Sequence, residues 1–173
     1  MDINIISFVA RSSGSGKTHI IELLIAELTK RGLKVAAVKH SRHIPEFDIK
    51  GKDTYRYKKS GASRIMIFSP HGMMLYDNSE QSAREIAELA GKGMNVVLVE
   101  GYKDGPFPKI EVYNPAVHNL PLCKEFEDNF IGLVSDVDLS TDIPRFRFCD
   151  VEMLADFILS YPPMNIKDSG NAC

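Results

Sequence analysis

A chain of 173 residues with 44% hydrophobic and 25% charged side chains has the size and composition of one α/β domain with a substantial core. Its formal net charge of −2 gives no reason to expect a nucleic-acid partner or a membrane surface, and no apolar stretch approaches the roughly 18 residues of a membrane span. Cys123, Cys149 and Cys173 are widely spaced and form no C-x-x-C pair. With Asp2 and a short strand-like run in place of a signal peptide, they suggest reduced thiols in a cytoplasmic protein rather than a disulfide framework or a zinc site.

Ile3, Ile5, Ile6, Phe8 and Val9 form an apolar run that predicts a buried strand, and Ile21, Leu24, Ile25 and Leu28 recur soon after at helical spacing. Between them stand residues 10 to 18, A-R-S-S-G-S-G-K-T, in the layout of a phosphate-binding (Walker A) loop. In such a loop, glycines turn successive backbone N–H groups onto phosphate oxygens, and the following helix adds its dipole. Ser13, Gly14, Ser15, Gly16, Lys17 and Thr18 are therefore the candidate nucleotide-binding residues. Lys17 supplies a mobile charge and Thr18 a hydroxyl for Mg2+. The full pattern has a first glycine where this chain has Arg11, which either distorts the start of the loop or meets a phosphate itself.

The helix should end at Lys30-Arg31-Gly32, where basic residues meet a glycine suited to a left-handed cap. Val35 to Val38 is a second strand, parallel to the first through a right-handed crossover, and Lys39-His40 stands at its carboxyl end, where open α/β sheets bind ligands. Residues 40 to 52 read as a polar loop containing His40, His43, Glu46 and Asp48, whose spacing matches no standard metal-ligand pattern; a solvated or substrate-facing loop is the expectation. Asp53 is placed to cap a short helix through Arg56 and Lys59, with Lys50, Lys52 and Lys58 nearby. That basic segment is either an exposed face or a clamp for an anionic substrate.

Ile65 to Phe68 and Met73 to Tyr76, joined by Ser69-Pro70-His71-Gly72, predict a hairpin inserted into an otherwise parallel arrangement. A helix follows, with Ser82 and Glu85 in capping-box spacing and Ala83, Ile86, Ala87 and Ala90 on one face. Asn95 to Glu100, N-V-V-L-V-E, is a buried strand that ends in a carboxylate. From that position Glu100 can reach Mg2+ or its waters, pairing it in function with Thr18; the alternative is an acid facing solvent or an arginine. Tyr102-Lys103 faces the same edge. Lys109 to Tyr113 and Phe130 to Val134 are further strands, separated by an irregular stretch from 114 to 129. Asp136 or Asp138 then stands where guanine-specific proteins place the carboxylate that reads the base, although either also suits a strand-end turn. Phe146 to Phe148 is a last short strand. Val151, Leu154, Ala155 and Ile158 mark a final helix, and residues 161–173 have little to bury and read as a disordered tail.

These segments together resemble the molybdopterin-guanine dinucleotide biosynthesis adaptor proteins, the B component of that pathway. The resemblance spans most of residues 3 to 158. It rests on S-G-S-G-K-T-H-I-I-E-L-L, A-V-K-H, F-D-I-K-G-K-D-T-Y-R-Y-K-K-S-G-A, V-L-V-E-G-Y-K, P-K-I-E-V and L-V-S-D. It implies a P-loop NTPase-like three-layer fold, mainly parallel with an inserted β-hairpin. It also implies GTP binding with at most weak hydrolysis, a homodimer, and assistance to the guanylyltransferase that joins GMP to molybdopterin. On that reading Lys39, His40, Asp53, Arg56 and Lys103 contact the pterin phosphate or the partner enzyme, and Thr18 and Glu100 hold the metal. His19 stands where the family commonly has threonine. Two rival readings of the same residues are a P-loop small-molecule kinase, with its substrate on the basic helix, and an interaction module whose loop has lost nucleotide binding through Arg11.

Overall fold

The computed structural model describes residues 2–41, 43, 49–125 and 129–165. The chain forms two compact units, Met1–Ser41 with Ala83–Cys173, and Arg42–Ser82.

The first unit is built on β1 (Asp2–Val9), whose side chains alternate between two covered faces. Ile6 and Phe8 point into one core with Leu98, Ile110 and Val134; Ile3 and Ile5 point into the other with Val97 and Val99. Burial on both faces is why the strand reads as a near-continuous apolar run instead of alternating with polar residues. β5 (Val96–Glu100) and β6 (Lys109–Val112) flank β1 in parallel; β2 (Val35–Lys39) lies beyond β5, and β7 (Phe130–Val134) and β8 (Arg145–Phe146) lie beyond β6. The expected crossover from β1 to β2 is present, with β5 inserted between the two strands.

Helices cover both faces and complete three layers. α1 (Lys17–Lys30) and α4 (Val151–Ser160) place Ile20, Leu24, Leu28, Leu154 and Ile158 against the Ile6/Phe8 face. α3 (Ala83–Gly91) sets Ala87 on the other. Each fully buried Leu or Ile here contributes about 1.5–3 kcal/mol of transfer free energy, so this packing holds the ends of β1, β2 and β5 in place. α1 closes as its sequence predicts: Gly32 is left-handed at φ 80, and Leu33 N–H donates to the Leu28 carbonyl at 3.1 Å.

Two boundaries differ from the sequence reading by more than one residue. The last parallel strand is Arg145–Phe146 rather than 146–148, because Phe148 N–H is drawn to Asp136 Oδ1 at 3.1 Å instead of continuing the ladder. At the other end, Met164–Asn165 forms β9, antiparallel to Asp2–Ile3. β6 pairs with β1 only from Ser7 onward, so the first residues of β1 have a free edge for it. Residues 161–165, read as part of a disordered tail, are thus ordered, with Tyr161 against the core; 166–173, including Cys173, lie outside the described residues. Among the described residues no helix is long and apolar enough to cross a membrane.

The second unit contains α2 (Asp53–Lys59) and the hairpin of β3 (Arg64–Ser69) and β4 (Gly72–Asp77), in register from Arg64↔Asp77 to Ser69↔Gly72. The open end is pinned by Arg64 Nε on Asp77 Oδ2 at 2.7 Å, and Lys58 lies over the Tyr76 ring at 4.6 Å. Ile65 is the buried residue of this unit among those described; α2 has none. Asp53 does not cap α2 as expected. Lys52 occupies the N-cap, without a side-chain bond, and Asp53 sits in the first turn, where its negative charge still favours the helix dipole.

Candidate phosphate and metal site

The site begins where β1 ends. After Val9 the chain turns through residues 10–16 and enters α1 at Lys17. Gly16 has φ 98, a conformation costly for other residues, and a Cβ there would come within 2.8 Å of the Phe148 ring. The glycine thus serves the turn and a close approach that the motif alone does not announce. The Ser12 carbonyl organises the interior of the loop, accepting Lys17 Nζ at 2.9 Å and the buried Ser15 hydroxyl at 3.3 Å. Burial pushes the Lys17 ammonium below its ordinary pKa; Glu100 opposes that shift and Lys39 adds to it.

The register Phe8↔Glu100↔Lys39 brings the carboxyl ends of β1, β5 and β2 to one level. There Thr18 Oγ1 donates to Glu100 Oε1 at 3.1 Å, and Lys39 Nζ reaches the same oxygen at 3.3 Å. Thr18 and Glu100, 82 residues apart in sequence, therefore meet as the strand-end reading expects. A hydroxyl and a carboxylate are the hard oxygen donors that suit Mg2+, which keeps most of its waters and takes few protein ligands, so the pair fits such an ion. Lys39, expected on the substrate side, is drawn into this corner. Among the described residues no group of three or more His, Cys, Asp or Glu could hold a metal ion.

Beyond Glu100, His40 stacks on Tyr102 at 4.7 Å, and Tyr102 meets Phe107 edge-on at 5.8 Å. Tyr102 holds φ 61, an uncommon conformation for a residue with a side chain, which this aromatic packing and the preceding Gly101 sustain. Lys103 follows, exposed. At the end of β7 the two candidate acids separate. Asp138 is bound to Arg145 at 2.6 Å, whereas Asp136, exposed, accepts the Phe148 N–H; the Phe148 ring lies 6.3 Å from His19 and against Gly16. Asp53 and Arg56 belong to the second unit, where they are exposed and lie 3.8 Å apart. Glu46 and Asp48 lie outside the described residues.

Sequence reasoning missed what the irregular stretch after β6 contributes. Glu111, buried on β6, accepts the N–H groups of Leu122 and Cys123 at 2.6 and 2.9 Å and so anchors a 3-10 turn, Leu122–Lys124. Burial, then the Glu111 charge, pushes the Cys123 thiol up to about 12. Arg11 pairs with Glu125 at the end of that turn, and this carboxylate raises the guanidinium pKa. The residue in place of the first loop glycine is therefore engaged outside the loop. His118 Nε2 lies 2.7 Å from Ser12 Oγ. The motif spacing at 10–18 gives no signal of any of these partners.

The family model described as "Molybdopterin guanine dinucleotide synthesis protein B" matches residues 5–136. A molybdopterin-guanine dinucleotide biosynthesis adapter protein of Escherichia coli is 30% identical over 164 residues, covering 92% of this chain and 93% of its own length. One from Haemophilus influenzae is 33% identical over 156 residues, covering 84% and 83%. Among solved structures, Bacillus subtilis MobB superposes with a TM-score of 0.72 at 24% identity over 92% of this chain and 98% of its own. Another, described as molybdopterin-guanine biosynthesis protein B, gives 0.70 at 28% identity over 90% and 97%. The three-layer, mainly parallel architecture is thus shared, as a P-loop NTPase-like fold.

Proposed function

The chain belongs to the molybdopterin guanine dinucleotide synthesis protein B family, and from that premise we propose that it is a GTP-binding adaptor in the cytoplasm. It works as a homodimer and assists the guanylyltransferase that joins GMP to molybdopterin. The observation that carries this reading is the meeting of Thr18 and Glu100 at the carboxyl ends of β1 and β5, beside a Lys17 ammonium that feels the Glu100 charge. Backbone N–H groups of residues 14–17 hold the phosphates. Lys17, whose nearest bond is to a neutral carbonyl, offers its charge to the β- and γ-oxygens.

Thr18 and Glu100 would hold Mg2+, which when bound neutralises phosphate charge. Asp136, exposed at the end of β7, offers a carboxylate to the N1 and N2 donors of guanine, with Phe148 and His19 beside it. Lys39, His40 and Lys103 contact the pterin phosphate or the partner enzyme; Asp53 and Arg56, on the second unit, are assigned the same kind of contact independently. Glu100, committed to the metal, is not free to act as a general base, and hydrolysis is weak.

The test is calorimetric titration with GTP and with ATP, each with Mg2+, on the wild-type protein and on Lys17→Ala. The expected result is GTP-preferring binding that Lys17→Ala abolishes. An ATP preference with acceptor-dependent turnover would replace the adaptor by a small-molecule kinase; no binding of either nucleotide would leave an interaction module.

A further inference from the structure

The turn that opens the segment after β6 is built to present one side chain. Asn114 Oδ1 accepts the Ala116 N–H at 2.9 Å, and the Asn114 carbonyl accepts those of Val117 and His118 at 3.0 and 3.2 Å. The far end of the segment is tied down by Glu111 on Leu122 and Cys123 and by Arg11 on Glu125. Half-buried His118 therefore sits on an ordered turn, with Nε2 2.7 Å from Ser12 Oγ. A hydroxyl has one proton, and Ser12 Oγ donates it to the Ser13 carbonyl at 3.1 Å. In the tautomer that carries its proton on Nε2, His118 donates to the Ser12 oxygen and brings an N–H donor to the phosphate loop.

Where along a bound nucleotide that donor falls follows from Lys17. In a loop of this kind the N–H groups at the helix start take the inner phosphates and the lysine reaches the β/γ oxygens. Lys17 Nζ lies 2.9 Å from the carbonyl of Ser12, the residue whose hydroxyl meets His118. Ser12 thus marks the terminal-phosphate end of the loop. We propose that His118 is a ligand of the γ-phosphate of GTP, exchanging its bond to Ser12 for one to a terminal oxygen, and that it separates triphosphate from diphosphate. This rests on the nucleotide reading above.

The test is calorimetry with GTP and with GDP, both with Mg2+, on wild-type protein, His118→Ala and His118→Gln, with thermal unfolding of each as the control for folding. A hydrogen bond to a charged group predicts that His118→Ala weakens GTP roughly ten- to a hundred-fold and leaves GDP within about two-fold. His118→Gln, which can place an amide N–H near the position of Nε2, recovers most of the loss. An equal loss for both nucleotides, or unchanged GTP affinity in His118→Ala, overturns the assignment. Wild-type protein that binds neither nucleotide overturns the nucleotide reading itself, an outcome separate from wild-type binding that the variants leave unaltered.

Discussion

Glu100 and Glu111 lie on the two strands that flank β1, opposite Phe8 and Val9, and their surroundings put the same side chain to different uses. Glu100 is partly open, and one oxygen is shared by the Thr18 hydroxyl and the Lys39 ammonium, partners that an incoming cation can replace. Glu111 is closed off, and its oxygens are taken by backbone N–H groups of Leu122 and Cys123, which the 3-10 turn fixes in place. A carboxylate held by exchangeable side chains is available for chemistry; one held by buried backbone is part of the scaffold.

The largest expected effect is on Cys123. Its thiol is pushed from 9.0 to about 12, so near neutral pH its thiolate fraction, and with it alkylation by iodoacetamide, falls about a thousand-fold below that of an ordinary thiol. Peptide mass spectrometry should find exposed Cys149 modified before Cys123. Glu111→Ala should restore only part of the Cys123 reactivity, because burial is the larger cause of the shift, and a Cys123 as unreactive in Glu111→Ala as in the wild type would remove the acid's share.

Stability comes next. Glu111→Ala leaves one buried and one part-buried N–H group unpaired, a cost of about 2–3 kcal/mol and a midpoint roughly 4–12 °C lower. Glu100→Ala, which removes contacts to exposed groups, should stay within about 1 kcal/mol. Equal losses in the two denaturation curves would erase the distinction.

A third carboxylate, Asp77 at the open end of the hairpin, sharpens it with the smallest effect. The Ser79 hydroxyl and N–H, then Arg64, hold it from 3.8 down to about 2. A pKa depressed by folding means that its stabilising contribution is complete above about pH 4 and is lost as pH falls through about 2. An NMR titration of its carboxyl carbon should show that midpoint, and Ser79→Ala should raise it.

The legible parts of the molecule were those where local pattern and tertiary environment agree. β1, the glycine turn and α1 announce themselves because the strand is covered on both faces and the helix on one. Glu100 was legible because an acid that ends an apolar run has to emerge at the strand's carboxyl end. Glu111 was not: within K-I-E-V every position is buried, so no alternation separates a scaffold acid from an exposed one. His118 and Glu125 stand in a stretch without periodicity, and their meeting with Ser12 and Arg11 spans more than a hundred residues. In the hairpin, Phe68 and Met73, the ends of the two apolar runs that predict its strands, are 80% and 61% exposed, so an apolar run marks a strand without marking a covered one.

The most direct test is to titrate Mn2+, a substitute for Mg2+ visible by electron paramagnetic resonance, into the protein with GTP, comparing wild type with Glu100→Gln. If Thr18 and Glu100 form the metal corner of a nucleotide site, the wild type takes up Mn2+ only when GTP is present, and Glu100→Gln weakens that uptake about ten-fold or more while GTP still binds in EDTA. Equal Mn2+ affinity in the two proteins, or Mn2+ uptake indifferent to GTP, would contradict it.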